Sequence, residues 1–230
     1  MESQNQATEV KITSKSSYKN LDELIADMKL AFANALLPEI FNPMLAVGYT
    51  VERINGMKAK LDTLEMLAQV KTKEYADQSE EQDKFDKKKA EISTVFVSHI
   101  SLARILFIDD VHARVSLSLD GSTPRLFSSW KQTMTNFYGQ LTSQPELLAK
   151  ASTVGITTTA VNDQKNAINE LEVIKESLKK ETGEAQAATD DRDRAFDEVY
   201  PLYVEYIKYA KIVLPDNQML EALGVRVRAK

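Results

Sequence analysis

Apolar and small residues follow one seven-residue grid in each half of the chain, with alternating steps of three and four. In the first half the grid collects Val47, Ile54, Met57, Leu61, Leu64, Ala68, Tyr75, Phe85, Ile92, Phe96, His99, Ala103 and Leu106. In the second half it collects Val154, Val161, Ile168, Leu171, Leu178, Ala185, Phe196, Val199, Tyr203, Tyr206, Ala210 and Val213. This spacing is typical of the a/d stripe of a coiled coil and predicts long helices.

A highly charged stretch, EYADQSEEQDKFDKKKAE (Glu74–Glu91), interrupts the apolar grid of the first half without Gly or Pro. The grid keeps its phase across this stretch, which a hairpin turn has no reason to preserve. We therefore predict one continuous helix. The alternative is a compact four-helix bundle of two helical hairpins, in which Ser79 and Gln82 would form a capping box at the start of a second helix.

The chain contains an internal repeat. Pro38–Asp110 aligns with Pro145–Asn217 at an offset of 107 residues without a gap, and 19 of the 73 aligned positions are identical. Average composition would give roughly four or five identities by chance. The alignment indicates a duplication, so we expect both halves to share one architecture.

The predicted fold is all-α: an internally duplicated coiled coil or bundle of long helices, with short helices at the ends. Short amphipathic helices are expected at Leu21–Leu36 and Leu126–Leu141. Residues 1–17 form a polar N-terminal tail, residues 18–120 the first helical repeat and residues 121–230 the second. We expect the two repeats to make one cooperative domain.

Three short segments alternate between apolar and polar residues as strands do: Glu9–Thr13, Arg114–Leu119 and Gly224–Arg228. They predict either a small β element formed by the termini or a strand that adds to the sheet edge of a neighbouring subunit. Under the second alternative, Val10, Ile12, Val225 and Val227 are candidate interface residues.

Trp130 is the single tryptophan and breaks the symmetry of the repeat. It is either a local core anchor or an interface anchor, because tryptophan is enriched where binding energy concentrates. Tyr200, Tyr203, Tyr206 and Tyr209 share one predicted helix. Their helical spacing favours core packing over a ligand pocket.

The amino-acid composition argues against several kinds of function. The 230-residue chain has a net charge of −5 and no cysteine. The charge gives no support for nucleic-acid binding, which needs a basic face. The missing cysteines exclude disulfides, a thiolate nucleophile and cysteine-based zinc sites. The polar N-terminus lacks the features of a signal peptide, and no apolar stretch is long enough to span a bilayer. We expect a cytoplasmic protein.

The sequence contains no recognisable catalytic or metal-binding signature. The two histidines, His99 and His112, are too few for a di-iron site with two Glu-x-x-His pairs. His99 lies on the apolar grid and is expected in the core. Acidic runs such as Asp190–Asp193 are typical of a solvated helix face. We predict no catalytic residue, no metal ligand and no cofactor.

Five segments of the second half resemble a family of uncharacterised bacterial all-helical proteins: FYGQL (Phe137–Leu141), PELLAK (Pro145–Lys150), VGIT (Val154–Thr157), GEAQAATDDRDRAFDE (Gly183–Glu198) and LEALGVRVR (Leu220–Arg228). The first half matches that family only through the internal repeat. No activity is known for the family, so the resemblance implies a helical fold and assigns no site residue.

We therefore expect a non-enzymatic structural or scaffolding protein that acts through helix packing, with self-association or a protein partner. One alternative is an amphipathic helical protein that acts on membranes, as helical toxin components do, through the apolar helix ends Val95–Ile108 and Val199–Leu214. A second alternative is a helical bundle that binds a ligand or a metal.

Overall fold

The computed structural model describes residues 19–226, and within that range the chain is helical without a β-strand. The helices are α1 (Leu21–Asn34), α2 (Pro38–Leu45), α3 (Val51–Leu106), α4 (Val111–Ser116), α5 (Phe127–Ser143), α6 (Pro145–Ser152), α7 (Thr158–Val213) and α8 (Asn217–Ala222). The predicted all-α fold, with two long helices that pack together and short helices before and after them, is confirmed.

The long helices α3 and α7 run unbroken for 56 residues each. Helix α3 passes through the charged stretch Glu74–Glu91, and α7 continues through Pro201. The continuous-helix prediction is therefore confirmed, and the hairpin alternative is wrong. The reason lies in the apolar grid, since most of its positions are buried on both sides of the charged stretch.

The order and length of the elements recur along the chain. Helices α2 and α6 have 8 residues each, and α3 and α7 have 56 each. Gly48 and Gly155 end the two short helices with φ of +87° and +91°. The amide of Tyr49 then donates to the Met44 carbonyl at 3.1 Å, a bond typical of a helix C-terminus closed by a left-handed glycine.

The described residues of Met1–Ala68 and Asp191–Lys230 form one compact unit, called unit 1. Its two long-helix segments run antiparallel, because Arg53 pairs with Glu205 at 3.1 Å and Lys60 pairs with Glu198 at 2.6 Å. The core of unit 1 contains Met28, Phe32, Ile40, Met44, Tyr49, Ile54, Leu64, Val199, Tyr206 and Ala210, among others.

Gln69–Asp190 forms the second compact unit, called unit 2. Its long-helix segments are also antiparallel, since Lys88 pairs with Glu170 at 2.5 Å and the Gln78 amide donates to the Thr182 hydroxyl at 3.3 Å. The core of unit 2 contains Ile92, Phe96, Ala103, Phe107, Trp130, Met134, Phe137, Tyr138, Leu141 and Leu171, among others.

The strand predicted at Arg114–Leu119 is wrong, because Arg114–Ser116 belongs to α4 and the chain then turns. Asp110 starts α4 by accepting a bond from the Ala113 amide at 3.0 Å. Ala113 and Leu117, four residues apart, are both buried, so a helical period replaces the apparent alternation. The strand predicted at Glu9–Thr13 lies outside the described residues, and Gly224–Arg226 forms no strand.

Candidate interaction surface

Four large apolar side chains are exposed where α3 of unit 2 ends and α4 begins. Ile105, Ile108, Val111 and Val115 are 73%, 64%, 73% and 72% exposed. We call these four residues the α4 patch. Single exposed apolar residues are common on protein surfaces, whereas neighbouring ones mark an interaction site.

Local geometry turns these side chains outward. Val111 and Val115 are four residues apart on α4 and therefore share one face, while the opposite face buries Ala113 and Leu117. Ile108 and Val111 line the same surface depression of about 600 Å³. Ile108, Val111 and Val115 therefore form one local surface.

The segment that carries the patch is held by polar contacts within unit 2. The Arg104 guanidinium donates to the carbonyls of Leu119 and Gly121 at 2.7 and 2.6 Å. The Gln144 amide donates to the Ser116 hydroxyl at 2.5 Å. These bonds fix the end of α4 and the turn that follows it, so the patch is a preformed surface.

Most charges beside the patch are paired within the chain. Lys150 lies 3.4 Å from Asp110, and Arg114 pairs with Asp120. The pKa of the Asp110 carboxyl lies below its ordinary value, first because it accepts the Ala113 amide and then because Lys150 is close. The apolar surface is thus bordered by compensated charges.

The equivalent end of unit 1 is more polar. Helix α8 has the same length as α4 and also begins after a capping aspartate, Asp216. Relative to those caps, Asn217 and Glu221 stand where α4 has Val111 and Val115, and both are exposed. One patch residue has an apolar counterpart in unit 1. Ile212 aligns with Ile105 in the repeat and is 80% exposed.

The candidate interface residues from the sequence lie elsewhere. Trp130 is buried in unit 2, where its indole nitrogen donates to the Ser93 hydroxyl at 3.1 Å and its ring stacks on Phe127, as the core-anchor alternative expects. Val225 is half-buried against the unit 1 core. The interface role of these residues stays a prediction. So does that of Val10, Ile12 and Val227, which lie outside the described residues.

Sequence reasoning missed the α4 patch. It interpreted Val115 as part of a strand, which hides its helical relation to Val111. The usable signal was Asp110 followed by two valines four residues apart. That signal predicts a capped helix with an apolar face, although it leaves open whether the face is buried.

A group of three carboxylates lies on the long helices within unit 2. Ligand atoms of Glu74, Glu181 and Glu184 fall within 4.8 Å of one another. Lys73 lies 3.3 Å from Glu74, and Lys180 lies 3.3 and 3.1 Å from Glu181 and Glu184. The protein's own ammonium groups therefore compensate much of this negative charge.

Buried polar groups occur in both cores. In unit 2, Nδ1 of His99 lies 3.0 Å from the Tyr138 hydroxyl. Burial lowers the pKa of His99 and raises the pKa of Tyr138. In unit 1, the hydroxyls of Tyr49 and Tyr206 are buried without a hydrogen-bond partner among the described residues. Burial raises the pKa of Tyr49 to about 12 and also raises that of Tyr206.

The chain was compared with protein-family models, with curated proteins and with solved structures, and none of the three comparisons found a match. The family resemblance of the second half therefore stays a prediction. Between residues 19 and 226, no helix combines the length and the apolar character needed to cross a bilayer.

Proposed function

We propose that this protein is a non-enzymatic structural or scaffolding protein that acts through its helices and associates with itself or with a protein partner. The α4 patch is the observation that carries this proposal. Ile108 and Val111 are 64% and 73% exposed beside a fixed depression. Such a surface gains free energy when another apolar surface covers it.

The expected strength of association follows from the size of the patch. Fully burying a Val or Ile side chain contributes about 1.5–3 kcal/mol. Four such side chains on each partner oppose an association cost of about 4–15 kcal/mol. The two ranges overlap, so we expect a reversible contact rather than an obligate one.

The membrane alternative is supported less well. Its helix ends, Val95–Ile108 and Val199–Leu214, do carry exposed Ile105 and Ile212. A surface that binds anionic lipid needs unpaired cations, however, and Arg114 and Lys150 beside the patch are paired with aspartates. We therefore place the protein-partner proposal first.

Sedimentation velocity of the intact chain tests the proposal. Between about 1 μM and 1 mM, a reversible contact should raise the weight-average sedimentation coefficient with concentration. The Ile108→Asp variant should shift this rise to higher concentration, because it places a charge in the apolar surface. As a matched control, Val173→Asp changes an apolar residue that is 67% exposed on α7 and should leave the rise unchanged.

A single non-associating species over the whole concentration range would contradict self-association. Flotation of the intact chain with phosphatidylserine vesicles, abolished by Ile108→Asp, would instead favour the membrane alternative.

A further inference from the structure

We propose that the partner of the α4 patch is the α4 patch of a second copy of this chain, so that two copies form a closed dimer. This inference rests on the proposed function and specifies its partner. Two observations support it: the charges around the α4 patch are mostly paired, and the corresponding end of unit 1, at α8, is more polar than α4.

The charge pattern favours a second copy over a strongly charged partner. Lys150 and Arg114 are neutralised by Asp110 and Asp120. A highly acidic or basic partner would therefore find little opposite charge to pair with. The same apolar surface on a second copy is complementary, because neither side brings an uncompensated excess of one charge.

Two exposed polar residues beside the apolar side chains strengthen the argument for a symmetric contact. Asp109 and His112 are both exposed, and they lie on either side of Asp110 and Val111 in the sequence. In a two-fold contact, residue i of one copy faces residue j of the other, and j faces i in return. Asp109 of one copy can then pair with His112 of the second copy, and this pair forms twice.

The end of unit 1 explains why the assembly stops at two copies. Counted from the helix caps Asp110 and Asp216, that end has Asn217 and Glu221 where α4 has Val111 and Val115. Replacing two valines by an amide and a carboxylate makes the surface costly to dehydrate. Among the described residues, this patch therefore occurs at one of the two equivalent ends. A single self-complementary surface closes a dimer instead of extending a chain.

The comparison of α4 with α8 supplies the test. The double variant Val111→Asn with Val115→Glu gives α4 the residues that α8 carries at the first and fifth positions after its cap. Because both valines are more than two-thirds exposed, the variant should keep its fold. We expect the intact variant to be monomeric where the unaltered chain dimerises, with a dissociation constant raised at least tenfold in sedimentation velocity. Circular dichroism and Trp130 fluorescence check that unit 2 stays folded.

The reverse exchange tests closure. Asn217→Val with Glu221→Val gives the end of unit 1 the two α4 valines beside Ile212. A chain with two patches should form assemblies larger than a dimer in sedimentation velocity. A variant that remains dimeric would contradict the explanation of closure by a single patch.

A charge exchange tests the two-fold arrangement. Asp109→Lys alone should weaken the dimer, and Asp109→Lys with His112→Asp should restore it. If the double variant stays as weak as the single one, the symmetric contact is wrong.

The outcomes separate this inference from the proposed function. Association that persists in the Val111→Asn, Val115→Glu variant would overturn the α4-to-α4 contact and leave self-association standing. A chain that never associates with itself at high concentration would contradict this inference and self-association, and would leave a different protein partner as the remaining form of the proposed function. Should the double variant unfold, Val115→Arg alone makes the same prediction, since it adds charge at a position that is 72% exposed.

Discussion

The cores of unit 1 and unit 2 contain aromatic rings in the same arrangement. They differ in whether the buried polar atoms of those rings form hydrogen bonds. In unit 2 the His99 and Tyr138 rings meet edge to face with centroids 5.9 Å apart. Helix α1 buries Phe32 four residues after Met28, as α5 buries Tyr138 four residues after Met134, so Phe32 takes the place of Tyr138 in unit 1. Tyr206, which aligns with His99 in the repeat, meets Phe32 at 6.3 Å with the same interplanar angle of 80°. Ring packing is therefore retained between the two units while the chemistry changes.

The difference lies in hydrogen bonding. The His99–Tyr138 contact pairs two buried polar groups at 3.0 Å. Phe32 offers no such partner to Tyr206, whose hydroxyl is buried and unpaired among the described residues. A buried polar group without a partner costs about 1–3 kcal/mol. Two similar backbones can thus differ in stability through a single side-chain exchange.

The largest expected effect comes from truncating the equivalent rings. Phe32→Ala should lower the free energy of unfolding of unit 1 by about 3–5 kcal/mol, because a fully buried ring is lost. Tyr138→Ala should cost unit 2 about 1–3 kcal/mol more, because it also leaves His99 unpaired. Native-state hydrogen exchange resolves both units in one experiment. Equal losses would show that the buried hydrogen bond contributes nothing.

The same conservative change should act with opposite sign in the two cores. Tyr138→Phe should lower the free energy of unfolding of unit 2 by about 1–3 kcal/mol, since His99 keeps its burial and loses its partner. Tyr206→Phe should raise that of unit 1 by about 1 kcal/mol, since it removes an unpaired hydroxyl. Urea unfolding measured by circular dichroism, with hydrogen exchange to assign the unit, checks both values. A loss of stability in Tyr206→Phe would show that this hydroxyl has a partner in solution.

Acid should destabilise unit 2 through His99. An unfolded imidazole protonates near pH 6.5, and burial gives the folded imidazole a lower pKa. Between those two pKa values the unfolded state binds the extra proton. The contribution of neutral His99 is therefore complete above about pH 6.5 and is lost as the pH falls, with a slope of up to about 1.4 kcal/mol per pH unit.

Urea unfolding followed by Trp130 fluorescence, repeated from pH 7.5 down to pH 5, measures this slope in unit 2. His99→Gln should remove the part that the imidazole contributes. His112→Gln changes the other histidine, which is exposed on α4, and is the matched control. An unchanged slope in His99→Gln would assign the acid sensitivity to carboxylates instead.

The smallest effect is expected from the ion pairs between the long helices. Lys60–Glu198 in unit 1 and Lys88–Glu170 in unit 2 are both solvent-exposed. Exposed ion pairs typically contribute about 0.2–1 kcal/mol and weaken with salt. Double-mutant cycles with alanine should therefore give similarly small coupling energies in the two units. A clearly larger coupling energy in one unit would show that exposed ion pairs contribute to the difference in stability between the two units.

The long helices could be predicted because their signal is local and repeated. The seven-residue spacing identified Ile54, Phe96 and Val199 as core positions, and all three are buried. It also placed His99 in the core. Its partner Tyr138 lies 39 residues further along the chain, and helical periodicity does not report such a pairing.

The failures come from short elements. In Arg114–Leu119 a few residues alternate by chance, and the Asp110 cap together with buried Ala113 and Leu117 selects a helix instead. The α4 patch was missed for a related reason. An apolar helical face has the same sequence pattern whether it is covered or exposed, so exposure becomes known only from the packed structure.

The division into units has a consequence for biosynthesis. Unit 2 is one continuous segment, Gln69–Asp190, whereas unit 1 joins the beginning of the chain to residues that follow Asp190. A ribosome therefore synthesises all of unit 2 before it makes the second part of unit 1. Because domains generally fold as units during synthesis, unit 2 should acquire its core first. The N-terminal helices of unit 1 must then wait, with apolar residues such as Met28 and Phe32 uncovered, until the last segment emerges.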